Sequence, residues 1–167
     1  MKKLFLLIAN LLFAFEIYSP AFKNNTYIPK KYTCEGADIS IPLIIKNIPK
    51  NTKSLALIMQ DPDAPYGVFT HWILYNIPTN TSEIPENLPK SPITKFGFQG
   101  INSFGKTGYG GPCPPPGKPH HYIITVLALD KNPNLKPGLT IQEFLDKIRV
   151  YVISYAQYTG LYKRSIK

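Results

Sequence analysis

Acidic side chains are scarce in this sequence, ten Asp and Glu against nineteen Lys and Arg, which leaves a formal charge of +9 with neutral histidines. That imbalance favours anionic partners of some kind, whether a phosphorylated ligand, a phospholipid surface or nucleic acid. Nucleic acid fits least, because the lysines are scattered and no basic cluster or aromatic reading platform accompanies them. Cysteine occurs twice, at Cys34 and Cys113, too rarely for a disulfide scaffold or a four-cysteine zinc site. Histidine occurs three times, with no His-x-x-x-His spacing, and Gly-x-Ser-x-Gly is absent, so zinc-hydrolase and serine-hydrolase signatures are missing. No cofactor fingerprint is present either. The apolar run that follows Met1-Lys2-Lys3 is too short to span a bilayer as an ordinary helix, which leaves at most peripheral membrane contact.

Proline, by contrast, is abundant at seventeen residues, too many for a helical bundle and natural for short strands joined by turns. Ser54 to Gln60 is a continuous apolar run that predicts a central strand buried on both faces, with Asp61 at its carboxyl end. The next strand runs from His71 to Ile77; alternation puts His71, Ile73 and Tyr75 on one face and Trp72, Leu74 and Asn76 on the other. From Pro78 to Gly108 few apolar anchors appear, which predicts a long surface excursion. Strand character returns from His121 to Asp130. Thr140 to Tyr155 predicts the one good helix, opened by a Thr140/Glu143 capping box and carrying Ile141, Phe144, Leu145, Ile148 and Val152 on one face. Strands first and a helix late point to a β-rich, α+β domain and not to a βαβ array.

Chemistry-bearing residues crowd into two stretches. The first is Asp61-Pro62-Asp63-Ala64-Pro65, followed by His71 and the lone Trp72; the second is Gly111-Pro112-Cys113-Pro114-Pro115, followed by His120-His121-Tyr122. All three histidines lie in them. His120 and Tyr122, two apart on a strand, point to the same side, and His121 to the other. The first stretch also reads as a rigid turn in which aspartate caps its own backbone. Two aspartates and two histidines are the kind of set that can ligate zinc, but the proline-rich framing disfavours it.

These two motifs, in this order, resemble the phosphatidylethanolamine-binding protein family, in its bacterial, Raf-kinase-inhibitor-like branch. The likeness runs from about Phe15 to Arg164. It departs at His121, where the family usually has arginine, and at Ile45, where bacterial members usually have tryptophan. The resemblance implies a central antiparallel sheet packed on a smaller sheet, with a helix near the carboxyl end. It implies a small pocket for phosphate-like anions or phospholipid headgroups lined by Asp61, His71, His120 and Tyr122, with Asp63 beside them and Gly111 and Pro112 on the rim. It also implies possible roles as an inhibitor or modulator of a kinase or protease. A metal-dependent hydrolase using the same pocket is the remaining alternative.

Residues 1–14 read as an export leader, charged at the start and then apolar, with Ala14 before the cut. A single domain over 15–167 follows it. Export implies a periplasmic or secreted protein, where Cys34 and Cys113 can pair; a cytoplasmic product with two free thiols is the alternative. Loss of Lys2 and Lys3 lowers the charge from +9 to +7, so the basic character survives cleavage.

Overall fold

The computed structural model describes residues 13–165, so the leader expected over 1–14 lies almost wholly outside the described residues. Ten strands form two sheets. The smaller contains β1 (Glu16–Tyr18), β3 (Leu43–Lys46) and β6 (Glu83–Ile84), in the order β1-β3-β6. The larger takes β2 (Thr26–Tyr27), β4 (Ser54–Asp61), β5 (Phe69–Ile77), β7 (Ile93–Thr94), β8 (Gly97–Gln99), β9 (His120–Leu129) and β10 (Val152–Tyr162), in the order β2-β10-β9-β4-β5-β8-β7. All its pairings are antiparallel except that of β2 with β10. This is the two-sheet, β-rich architecture expected.

Both faces of the large sheet are covered, which is why β4 is an unbroken apolar run. Its inner face meets the small sheet through Leu55, Leu57, Met59, Trp72, Leu74, Ile124 and Val126, packed with Ile17, Leu43, Ile45 and Ile84. Ile45 is thus a core residue. The outer face, with Ala56, Ile73, Tyr75 and Leu129, lies under Phe144 and Ile148 of the helix α1 (Ile141–Ile148).

Three expectations about elements change. The helix begins with the expected capping box, Thr140 Oγ1 accepting from the Glu143 N–H and the Glu143 carboxylate accepting from the Thr140 N–H at 2.9 Å. It stops at Ile148, however, and not at Tyr155. The β-branched and aromatic run from Val150 onward favours a pleated surface, and from Val152 it becomes β10, paired along β9. Next, the excursion from Pro78 to Gly108 contains β6, β7 and β8; strands of two or three residues are too short to show a period. Finally, simple alternation fails along β5. Met59 faces Trp72 but Gln60 faces Thr70, which leaves His71 as an extra residue, and a second extra residue falls between Leu74 and Ile77, where Asn76 has φ 54°. These are β-bulges, which re-aim side chains. Asn76 consequently bonds the Leu135 carbonyl on the outer side at 2.9 Å, and His71 joins Trp72 on the inner side.

Candidate functional site

β4 ends where β9 begins, and their meeting point puts Asp61 beside His120. His120 Nδ1 lies 2.7 Å from Asp61 Oδ2, with both side chains nearly buried at 12% and 5% exposed. The other carboxylate oxygen, Oδ1, accepts the Asp63 N–H at 2.8 Å, so it is Asp61 that caps the turn, while it also serves the cavity. One carboxylate therefore does two jobs. It orients the histidine ring, with Nδ1–H donating to it and Nε2 left as the free ring nitrogen.

The bulge delivers His71 to the same place. Its ring stands 5.2 Å from that of Tyr122, edge to face, and is flanked by Phe69 and Phe104. His71 Nδ1 is 2.6 Å from the Gly110 carbonyl oxygen, which can only accept, so this nitrogen carries the proton. The Gly110 N–H returns a bond to the His71 carbonyl at 2.9 Å. Burial pushes the His71 pKa below the ordinary imidazole value, the Gly110 carbonyl and the Asp61 charge opposing only in part. His71 is therefore held as a neutral imidazole.

Tyr122 is fully buried among these groups; its hydroxyl makes no hydrogen bond of normal geometry among the described residues, although the Asp61 carboxylate is near enough to act on it. Burial, reinforced by the nearby Asp61 charge, raises its pKa well above the ordinary phenol range, so the O–H remains a donor at every physiological pH.

Asp61, His71, His120 and Tyr122 form the polar part of a cavity of about 330 Å³. Its remaining lining is almost wholly apolar: Ala64 to Phe69, Phe104, and Cys113 to Pro115. No lysine or arginine lines it. At the mouth Tyr66 is fully exposed, and Val68 and Phe104 are also exposed.

The other expected site residues stand just outside. Asp63 turns away and accepts both the His121 N–H at 2.8 Å and the His121 ring at 2.7 Å. Those bonds, the backbone one first, hold its carboxyl below the usual range. His121 thus faces outward as expected. Gly111 and Pro112 are buried and do not line the cavity; the wall is the next segment, Cys113 to Pro115. They anchor it instead. The Gly111 N–H donates to Asp38 Oδ1 at 2.7 Å, and a Cβ at Gly111 would meet the Tyr32 carbonyl oxygen at 2.3 Å, so only glycine fits. The Pro112 carbonyl accepts the Cys34 N–H at 3.1 Å, and Cys34 is disulfide-bonded to Cys113. Arg164 Nε–H donates to the Pro114 carbonyl from the other side. Sequence reasoning missed Phe104 and Asp38, which lie in segments without periodicity and carry no signal of their own, and Tyr66, which lies inside the first dense stretch but has no role in that reading.

Among the described residues no three His, Cys, Asp or Glu side chains converge as a metal-ligand group; the carboxylates and imidazoles meet only as the separate pairs Asp61–His120 and Asp63–His121. What the arrangement can do is hold a polar atom between a phenol O–H and two imidazole Nε2 positions, next to apolar walls.

The neutral state of His71 has a consequence for stability. Its folded pKa lies below the unfolded value, so as pH falls below about 6.5 the unfolded chain takes up a proton that the folded chain refuses, and stability is lost. Asp63, with its pKa lowered, contributes a separate loss only in the more acidic carboxylate range. Denaturant titrations between pH 7 and pH 5 in a non-coordinating buffer should show the decline, and His71→Asn, which keeps a donor for Gly110, should flatten it. An unchanged slope in that variant would refute the assignment.

Comparison with known proteins places this geometry in context. Residues 18–163 match the family model described as phosphatidylethanolamine-binding protein. A UPF0098 protein of Pyrococcus horikoshii is 51% identical over 152 residues, covering 87% of this chain and 75% of that protein. One from Aquifex aeolicus is 47% identical over 151 residues, covering 89% and 88%. Among solved structures, the crystal structure of a phosphatidylethanolamine-binding protein homologue from Chlamydia trachomatis superposes with a TM-score of 0.83 at 36% identity, covering 91% of this chain and 99% of that one. YbcL of Escherichia coli superposes with a TM-score of 0.84 at 30% identity, covering 90% and 99%.

Proposed function

Because this chain belongs to the phosphatidylethanolamine-binding protein family, we propose that it is a binding protein whose cavity takes the phosphoryl or a similar anionic group of a small ligand, phospholipid headgroups included. The observation that carries this reading is the buried Tyr122 hydroxyl without a partner. Leaving such a donor unpaired costs about 1–3 kcal/mol, and an oxygen of the ligand removes that cost. Around it, His120 presents Nε2 while Asp61 fixes its ring through Nδ1, and neutral His71 presents Nε2 as an acceptor for a hydroxyl or ammonium of the ligand, or for the proton of a phosphomonoester. With no lysine or arginine in the lining, the polar contacts fall to Tyr122, His120 and His71, and the apolar walls accommodate the rest of the ligand.

A phosphomonoester or headgroup analogue should bind in competition with inorganic phosphate, because both would use the same Tyr122 and His120 donors. The analogue should be recovered unchanged. Calorimetry with and without inorganic phosphate, with analysis of the ligand afterwards, tests this; product formation that a chelator stops would favour the hydrolase instead. His120→Ala should weaken binding by about 1–3 kcal/mol, the range of a charge-assisted hydrogen bond. Tyr122→Phe gives a sharper test. It should weaken binding while leaving the fold of the free protein intact, since it removes only the hydroxyl that faces the cavity. Lower stability without loss of affinity would show that the hydroxyl is structural.

The exposed Tyr66, Val68 and Phe104 at the mouth favour a second reading, in which a protein such as a kinase or protease docks over the cavity. In that case excess phosphate competes with the partner in a pull-down. The Cys34–Cys113 disulfide supports a working place in the periplasm or outside the cell. Mass spectrometry of protein recovered there should find residues 1–14 missing.

A further inference from the structure

β10 is the longest strand of the molecule, and it is paired on one side only for most of its length. Inward it matches β9 from Val152 to Tyr162; outward β2 reaches only Gly160 and Leu161, and the flanking Asn25 N–H takes the Thr159 carbonyl. From Val152 to Tyr158 no strand of the described residues covers the outer edge. An open edge of this kind templates pairing with another strand, and monomeric proteins guard such edges with lysine or proline. Here the guard is missing. The run Val150–Tyr162 contains no charged residue and no proline, in a chain with nineteen Lys and Arg and seventeen prolines. Val150, Ile153 and Tyr155 are exposed along it.

We propose that this edge pairs with the same edge of a second copy, joining two large sheets into one across a two-fold axis. The occupant is chosen by charge. Two chains of +9, or +7 each without residues 1–14, repel one another, and an uncharged strand is a place where they meet without that penalty. Symmetry sets the register. A two-fold contact between identical strands is antiparallel and self-complementary, and the free stretch from Val152 to Tyr158 has Tyr155 at its centre. Tyr155 then lies opposite its copy, and Ile153 opposite Gln157 of the second copy, which matches aromatic to aromatic and leaves no like-charge pair. The assembly closes at two. The opposite end of the sheet is β7, only Ile93–Thr94, too short to template a further chain.

Sedimentation velocity on the full chain over a concentration series tests the contact. The expected result is a monomer–dimer equilibrium that Tyr155→Lys shifts toward monomer by about tenfold or more, because it places two lysines face to face across the axis. Tyr155 is exposed, so the variant's circular dichroism and its binding of inorganic phosphate should match the wild type. Tyr155→Cys should instead form a disulfide-linked dimer under mild oxidation. A wild type that stays monomeric throughout, or a dimer indifferent to Tyr155→Lys, overturns the inference. So does a monomer whose amides from Val152 to Tyr158 resist hydrogen exchange, since residues 1–12 or another segment of the same chain would then cover the edge.

Discussion

Reduction of the Cys34–Cys113 disulfide, or its replacement by a pair of serines, should lower the unfolding free energy by about 4 kcal/mol on the chain-entropy estimate. The bond joins residues 79 apart in sequence, so without it the unfolded chain regains the freedom of a long loop. The same change should weaken ligand binding. Cys113 belongs to the cavity wall, and with the disulfide gone that wall depends on the Gly111–Asp38 bond, the Cys34–Pro112 bond and Arg164. Cys34 is solvent-exposed, so ordinary thiols reach the bond. Urea denaturation with and without reductant measures the first effect, and calorimetry under the same conditions the second. A midpoint indifferent to reductant would show that the bond does not hold the native state, and thiol titration of the denatured, unreduced protein should find no free cysteine.

Trp72→Ala should cost about 3–5 kcal/mol, the range for deleting a large buried aromatic. Trp72 is fully buried between the sheets, its indole N–H donates to Gln99 Oε1 at 2.8 Å, and its ring meets that of Tyr109 edge to face at 5.5 Å. Removal leaves a cavity and deprives the Gln99 carbonyl of its donor. The damage should reach the site as well. Tyr109 precedes Gly110, the residue that holds His71, and donates its own hydroxyl hydrogen to the Tyr32 carbonyl at 2.7 Å. We therefore expect lower ligand affinity even under conditions where the variant stays folded. Chemical denaturation followed by circular dichroism suits the measurement, because Trp72 is the only tryptophan and its loss removes the fluorescence signal. A loss below about 1 kcal/mol would mean that the neighbouring side chains collapse into the space.

The sequence by itself determined what depends on local spacing. Proline-punctuated apolar runs called for short strands, and the two-residue period put His120 and Tyr122 on one side with His121 on the other, as found. The Thr140/Glu143 capping box located the helix start, because cap and partner lie within one turn of each other. Two dense motifs were enough to point to the family and to the Asp61, His71, His120 and Tyr122 set. Tertiary structure decided what depends on partner strands and distant contacts. The bulge that turns His71 toward Tyr122 exists only in register with β4, since an extra residue is extra only relative to a neighbour. The end of α1 was decided by β9, which captures Val152 onward as a paired strand. The pairing of Cys34 with Cys113, the cavity wall at Cys113 to Pro115 in place of Gly111 and Pro112, and Phe104 across from it join segments far apart in the chain. No local period or propensity encodes such contacts; they appear only when the two sheets close on one core.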